Sequence, residues 1–440
     1  MIDRVKNFYK RIEFYLANTS WIMAEKISVM GLSFFVTAVI ARYLGPEEYG
    51  VLAYSISLIS LCAVAGHVGL SGLVVRELVK KPEDVDIIMG TSLALKGVGY
   101  LIAFSFVVTI ATFTEDYGGK EFWILIIVAL GLIIKPLDVI DFWFKSIPNA
   151  KYTAISRFFG AITSSAFKLA LVFFGAQLLL FAVAHIFQAF ISAFCLVAFF
   201  IAKSKINFNR WKFSTNKAKE LFRQGWVVFL GSIFAVIYLK ADQIMLRWIA
   251  GAQEVGIYSV AATLSEAWYF IPVAIVTSFF PKLIKLKQTN PFGFNEKLQQ
   301  LLDLLFIIAL MVAIIVSVMA EQIILMVFGS DYVVSSAILV IHIWAGLFIF
   351  MRAAFSKWIL IENMLMFSLI TQGTGAVVNI VLNLWLIPLH GGIGAAYATL
   401  IAYSFASYFS LIFHSKSRVV FLMMTKSLFS PIRYILLRGN

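Results

Sequence analysis

Apolar residues run for about twenty positions at a time, repeatedly, along these 440 residues. The stretch from Leu178 to Ile201 is apolar on nearly every face, so a helix formed there has no polar side to turn toward water. About twenty helical residues, rising 1.5 Å each, cross the hydrocarbon layer of a bilayer. A water-soluble core cannot hide that much apolar surface. The composition agrees: 61% of the chain is hydrophobic and 13% is charged, where soluble domains carry about 25%. The fold class predicted is all-α and polytopic in a membrane. A transmembrane β-barrel would need short strands of alternating polarity, which these runs are not.

Twelve spans fit the pattern, near 21–41, 51–75, 87–113, 121–141, 152–174, 177–201, 224–248, 255–280, 298–320, 333–360, 366–388 and 392–414. Gly131 and Pro136 are expected to break the fourth, Pro272 and Pro281 the eighth, and Pro388 to end the eleventh. The tenth is long and charged, and is expected to be tilted or broken. Residues 1–20 carry Arg4, Lys6, Lys10 and Arg11 between apolar side chains and read as a cytoplasmic amphipathic segment, with no cleavable signal peptide. The tail, 415–440, is basic and too polar around Lys426 and Arg433 to span.

Charge orients the chain. Lys and Arg gather at the N-terminus, in the links after even-numbered spans and in the tail, which places both termini in the cytoplasm. The densest link, 202–223, holds Lys203, Lys205, Arg210, Lys212, Lys217, Lys219 and Arg223 and divides an N-terminal lobe, 21–201, from a C-terminal lobe, 224–414. The net charge of +13 is thus a topology signal and not a nucleic-acid surface. A shift of 206 residues lays Gly45, Glu48 and Gly50 on Gly251, Glu254 and Gly256. Six spans per repeat would give both copies the same orientation, facing outward.

Ionisable residues inside the spans are the candidate functional groups, because a charge at the bilayer centre costs several kcal/mol unless it is paired or lines a wet cavity. Lys26, Lys96, Lys168, Lys240, Arg247, Arg352 and Lys357 are assigned to a central cavity. Asp242, Glu266, His67 and His185 are assigned to ion coupling or pairing; Lys240 with Asp242 and Lys26 with Glu25 are the expected salt bridges if these charges lock helices instead. An excess of cations suits an anionic head group, and Lys and Arg are apt phosphate partners. Asn379 and Asn383, four apart, can bond across helices. Cys62 and Cys195 lie in apolar runs and read as small hydrophobes. No catalytic constellation, phosphate-cradling glycine loop or zinc spacing is present, so no enzyme activity, cofactor or metal is expected.

Several stretches together resemble a known family. They are Ala41–Gly50 (ARYLGPEEYG), Tyr238–Leu246 (YLKADQIML), Glu254–Ala261, Asn379–Pro388 and Gly392–Leu400, in order along nearly the whole chain. The sequence resembles the polysaccharide transporter family, the O-antigen and repeat-unit flippases of the multidrug/oligosaccharidyl-lipid/polysaccharide exporter superfamily. That resemblance implies two six-helix lobes arranged as a V in a bacterial inner membrane. It implies movement of undecaprenyl-diphosphate-linked oligosaccharide to the outer leaflet by alternating access, in polysaccharide or lipopolysaccharide biosynthesis. H+ or Na+ coupling and partners among the polymerase and other assembly proteins would follow. Members often place Arg after the seventh-span Asp; Asp242-Gln243 departs from this and removes a local ion pair for Asp242. The alternatives are a cation-coupled multidrug exporter, which should favour acidic cavity residues, a peptidoglycan-precursor flippase, which should carry two more spans, and a non-transport scaffold.

Overall fold

A computed structural model describes residues 2–147, 149, 151–204, 208–431 and 433, with side chains from Glu25 onward. The side chains of the N-terminal amphipathic segment, and Lys205 and Arg438, lie outside the described residues. The chain is all-α. Its helices are α1 (Ile2–His67), α2 (Ser71–Lys80), α3 (Val85–Thr114), α4 (Lys120–Ile134), α5 (Val139–Ser146), α6 (Lys151–Phe173), α7 (Leu178–Lys203) and α8 (Thr215–Ala250). They continue as α9 (Ala252–Glu266), α10 (Phe270–Thr289), α11 (Pro291–Val318), α12 (Ala320–Val327), α13 (Ser335–His342), α14 (Ala345–Ile361), α15 (Leu365–Ser407) and α16 (Arg418–Leu428).

Among the described residues, ten helical segments are long and apolar enough to span. Two of them are double. α1 is interrupted at Gly45 (φ 73°, ψ 172°) and α15 at Gly391 (φ 54°, ψ −133°), so the segments supply the twelve spans expected. A left-handed φ costs a side chain about 1–2 kcal/mol, and glycine avoids that cost. In α15 the interruption folds the helix back on itself: Gly375 lies against Ala406, and Gly394 against the Leu386 carbonyl. The other expected breaks are present with shifted positions. The fourth span is divided by a 3-10 turn, Lys135–Asp138, around Pro136. The eighth breaks at residues 267–269, ahead of Pro272, and Pro281 lies within α10. The tenth breaks between His342 and Ala345. Pro388 stands inside α15, which turns three residues later at Gly391.

The helices form two compact units. Unit 1 comprises the chain up to Tyr43 and Ser55–Ile233; unit 2 comprises Leu44–Tyr54 and the chain from Phe234. The division therefore does not follow the boundary expected at 202–223. The described part of that link is bonded to unit 1: Lys212 N–H donates to the Asp86 carbonyl (3.1 Å) and Ser214 N–H to Thr91 Oγ1 (3.1 Å). Gly90 permits this approach, since a Cβ there would stand 2.7 Å from Lys212 backbone atoms. The N-terminal part of α8 is fixed to α2 as well, by Lys217 Nζ on Glu77 Oε2 (2.7 Å) and by Arg76 on Gln224. The unit boundary then falls within α8.

Unit 1 packs α6 on α7, α3 on α4 and α4 on α7. Small residues let the helices close up: Gly160 meets Ser192, and Gly99 meets the Ala65 carbonyl. One of its cores gathers Leu70, Val74, Ile88, Val139, Phe144, Phe200 and Leu221. Unit 2 builds a core from Leu301, Leu305, Phe350, Phe355, Leu411 and Met424. The tail contributes to it, because α16 lays Val420 and Met424 against α11 while Ser427 donates to the buried Asp303.

The two motif copies meet within unit 2. Gly45 and Gly251 (φ 94°, ψ 176°) share the same backbone conformation, and each opens a helix. A Cβ on Gly50 would stand 1.8 Å from the Ala252 carbonyl oxygen, and one on Gly256 would stand 1.9 Å from the Pro46 carbonyl oxygen. Under the 206-residue shift Pro46 corresponds to Ala252 and Gly50 to Gly256, so the contact is reciprocal. The glycines that carry the repeat are the ones that allow it.

Candidate functional site

In unit 1 the break in the fourth span sets the site. The ring of Pro136 removes an amide donor and the helix gives way to one 3-10 turn, which places Lys135 and Asp138 beside α3 and α7. Lys96 on α3 is 1% exposed, and its ammonium stands 4.8 Å from the Phe142 ring centroid and 5.8 Å from that of Tyr100. Desolvated cation–π contacts of this kind contribute about 2 kcal/mol or more each, set against a desolvation cost of several kcal/mol for the ammonium. Lys96 has Asp138, Lys135, Asp141 and Lys145 within electrostatic reach. His67, at the end of α1, meets Tyr100 edge-on at 6.2 Å and lies in reach of Lys96, Asp138 and Lys135. His185 on α7 lies in reach of Lys168 on α6 and of Lys135. Beyond the break, the buried Asp141 accepts from Lys145 (2.6 Å) and Arg157 (3.0 Å). Glu25 lies in reach of Arg157, Lys26, Asp141 and Lys145. Six basic side chains, Lys26, Lys96, Lys135, Lys145, Arg157 and Lys168, thus stand with three carboxylates, Glu25, Asp138 and Asp141, in unit 1; Lys96 is buried and Lys168 half-buried, while Lys26, Lys135, Lys145 and Arg157 are exposed. The net field of that set is positive and favours an anion.

Unit 2 holds a different arrangement. Asp242, 2% exposed on α8, accepts four hydrogen bonds from neutral donors. Asn379 and Asn383 Nδ2 donate to Oδ1 (2.8 and 2.6 Å), Tyr258 Oη donates to Oδ2 (2.7 Å), and Thr399 Oγ1 donates to Oδ2 as well. The donors come from α9 and from both arms of α15, so one carboxylate ties together three parts of the unit. The pairing of Lys240 with Asp242 considered from sequence is absent among the described residues; Lys240 Nζ stands 3.9 Å from Glu266 Oε2 instead. The reason is periodicity, since two residues apart on a helix face different ways. Glu266 ends α9 at the break in the eighth span, and His342 ends α13 at the break in the tenth. His342 is 2% exposed and meets the Tyr258 ring edge-on at 5.8 Å.

The remaining cations assigned to the cavity are engaged with protein groups in unit 2. Arg352 is buried, and its Nη1 donates to the Ala406 carbonyl (2.7 Å) and to Thr371 Oγ1 (3.2 Å), one on each arm of α15. Arg247 lies 5.8 Å over the Tyr54 ring, whose hydroxyl accepts from Trp248 Nε1 (3.1 Å). Lys357 lies 5.0 Å over the Phe280 ring. The structure therefore brings Lys96 to His67, Lys168 to His185 and Lys240 to Glu266, and gives Arg352, Arg247 and Lys357 separate surroundings. Lys135, Asp138, Asp141 and His342 stand among the ionisable residues within or near the predicted spans but outside the set assigned to the cavity or to coupling. Pro136 beside Lys135 was a further signal for the first two, and the i, i+4 spacing of Asp141 and Lys145 for the third. For His342 the signal was its place within the tenth span.

The model of the polysaccharide biosynthesis protein family matches residues 15–287. This chain belongs to that family. Across 310 residues it is 26% identical to a putative O-antigen transporter of Shigella flexneri, covering 68% of this chain and 72% of the relative. Across 396 residues it is 26% identical to the probable flippase AglR of Haloferax volcanii, covering 85% and 78%. Its fold matches that of the lipid II flippase MurJ in an inward closed conformation, with a TM-score of 0.67 at 16% identity over 94% of this chain and 92% of that one. The family member described here is thus a multi-pass membrane protein of the MurJ-like fold.

Proposed function

We propose that the basic interior of unit 1 is where this transporter holds the diphosphate of its substrate. The protein is a flippase-type transporter of lipid-linked oligosaccharide repeat units and not an enzyme, a reading supported by relatives named as an O-antigen transporter and a flippase. Translocation makes and breaks no covalent bond. The physical task is to carry a polar, anionic head group across a layer in which a bare charge costs several kcal/mol. One observation carries the reading: six basic side chains gathered with three carboxylates near a broken span, Lys96 among them buried. A diphosphate diester, with two acidic groups, offsets most of that excess. The same sign disfavours cationic drugs as cargo. Lys96, buried among Phe142, Tyr100 and the Asp138 turn, is the central contact, and Lys135, Lys168 and Lys26 extend the path. The prenyl chain stays in lipid while the sugars cross in water, by alternating access. The titratable residues of unit 2 are the candidates for coupling to H+ or Na+. The termini face the cytoplasm of a bacterial inner membrane, where polysaccharide assembly proteins are the natural partners.

Proteoliposomes holding the purified chain and a fluorescent polyprenyl-diphosphate oligosaccharide test this. Wild type should transfer the probe between leaflets. Lys96→Gln should slow transfer at least tenfold while its melting temperature stays near that of Lys96→Arg. Normal transfer by Lys96→Gln refutes the assignment of the diphosphate to this site. Failure of folded wild type to move any such probe refutes the transport reading itself.

A further inference from the structure

The titratable set of unit 2 is one proton short of neutrality. Asp242 and Glu266 contribute two negative charges and Lys240 one positive, and among the described residues these are the charged groups acting most strongly on His342. With a neutral imidazole the four residues carry a net charge of −1. His342 Nδ1 is buried and has no hydrogen-bond partner among the described residues, while α9 packs on α13 and its Glu266 is the carboxylate acting most strongly on the imidazole. The other elements packed on α13 do not settle that charge. Arg352 of α14 is bonded to Thr371 and Ala406, and Asp303 of α11 to Gln299, Ser427 and Arg433. Glu321 of α12 is exposed, and α15 brings the phenol of Tyr403.

We propose that His342 is the proton-binding residue of this transporter, and that its protonation transfers Glu266 from Lys240 to the imidazolium. The existing Lys240–Glu266 approach of 3.9 Å is too long for a hydrogen bond, and both side chains are about one-third exposed, so the carboxylate is held loosely. Asp242 cannot serve as the mobile acceptor, because four donors already fix it. In the protonation step, H+ from water adds to a ring nitrogen lone pair of His342, no other bond changes, and the set becomes neutral. Glu266 then accepts from the new N–H, and the Lys240 ammonium is left free to meet an anion. Anion binding and proton binding therefore favour each other, each by the same factor. This deepens the transport reading and rests on it only for its consequence; the proton site itself is measured separately.

The test uses the full chain in nanodiscs with ring-labelled histidine, the His342 resonance being assigned by its loss in His342→Gln. The resonance should titrate. Glu266→Gln should lower the midpoint, and Lys240→Met should raise it, each by about one pH unit, a tenfold change in proton affinity. In proteoliposomes a pH gradient should change the transfer rate of the fluorescent probe in wild type and leave His342→Gln unaffected. A resonance that does not titrate, a midpoint unmoved by both neighbouring variants, or a response to Na+ at fixed pH in place of one to H+ overturns the proposal. If His342→Gln does not fold, the Glu266→Gln and Lys240→Met midpoints decide. If wild type moves no probe, the transport reading falls and the titration still decides the proton site.

Discussion

Gly256→Ala should damage this protein more than its chemistry suggests. The residue lies inside α9, where exchanging Gly for Ala ordinarily gains about 1 kcal/mol of helix propensity. Here the added methyl would begin 1.9 Å from the carbonyl oxygen of Pro46. An ordinary carbon–oxygen contact needs about 3.3 Å, so the hairpin tip at 44–54 must retreat by about 1.4 Å. What it strikes is backbone, which cannot swing aside as a side-chain end can. Overpacking of this kind costs about 1–3 kcal/mol, enough to reverse the propensity gain. Gly50→Ala, 1.8 Å from the Ala252 carbonyl oxygen, strikes the same contact from the other side. Because either variant already parts the two tips, the double variant should cost about 1 kcal/mol less than the sum. Gly97→Ala in α3, where a Cβ meets nothing within 4 Å, is the control and should be neutral or slightly stabilising. Melting of the purified variants in detergent, followed by intrinsic tryptophan fluorescence, measures this at roughly 2 °C per kcal/mol for a chain of this size. If Gly50→Ala and Gly256→Ala melt with Gly97→Ala, the reciprocal glycine contact is not what holds these segments together.

Three further outcomes follow from buried polar groups. Asp242→Ala strips the acceptor from Asn379, Asn383, Tyr258 and Thr399 and should cost about 3–5 kcal/mol, read as a lower melting temperature; Asp242→Asn, which keeps the shape, should cost less. Glu77→Gln should cost about 1–3 kcal/mol, because Lys217 keeps only Glu220 (3.1 Å), and adding Lys217→Met should recover most of the loss. Equal single and double losses would show that this pair does not fasten α8 to α2. Arg352→Met should lower the melting temperature of the whole protein by removing a tie between both arms of α15 and α14, whereas Lys240→Met should leave melting nearly unchanged. Similar melting of the two would mean that Arg352 acts in the cavity assigned to it from sequence and not as a tie.

The linear chain determined whatever depends on local composition. Twenty-residue apolar runs require helices in lipid, because no other backbone satisfies its own hydrogen bonds there. Gly45, Gly251 and Gly391 stand where the chain turns, because only glycine takes a left-handed backbone without strain. Pro136 marked the break that builds the site of unit 1, and the spacing of Asn379 and Asn383 promised a bond across helices without naming its partner. The partner was decided by tertiary structure, which laid both arms of α15 and α9 around Asp242. The same is true of the neighbour of each intramembrane charge. Lys240 meets Glu266 and not Asp242, and Arg352 meets a carbonyl, because a helix sends residues two apart to different sides and brings in partners from distant positions. The reciprocal glycine contact shows both sources at once. The shift of 206 residues was written in the sequence, but that Gly50 faces Ala252 and Gly256 faces Pro46 required the two copies to meet in space.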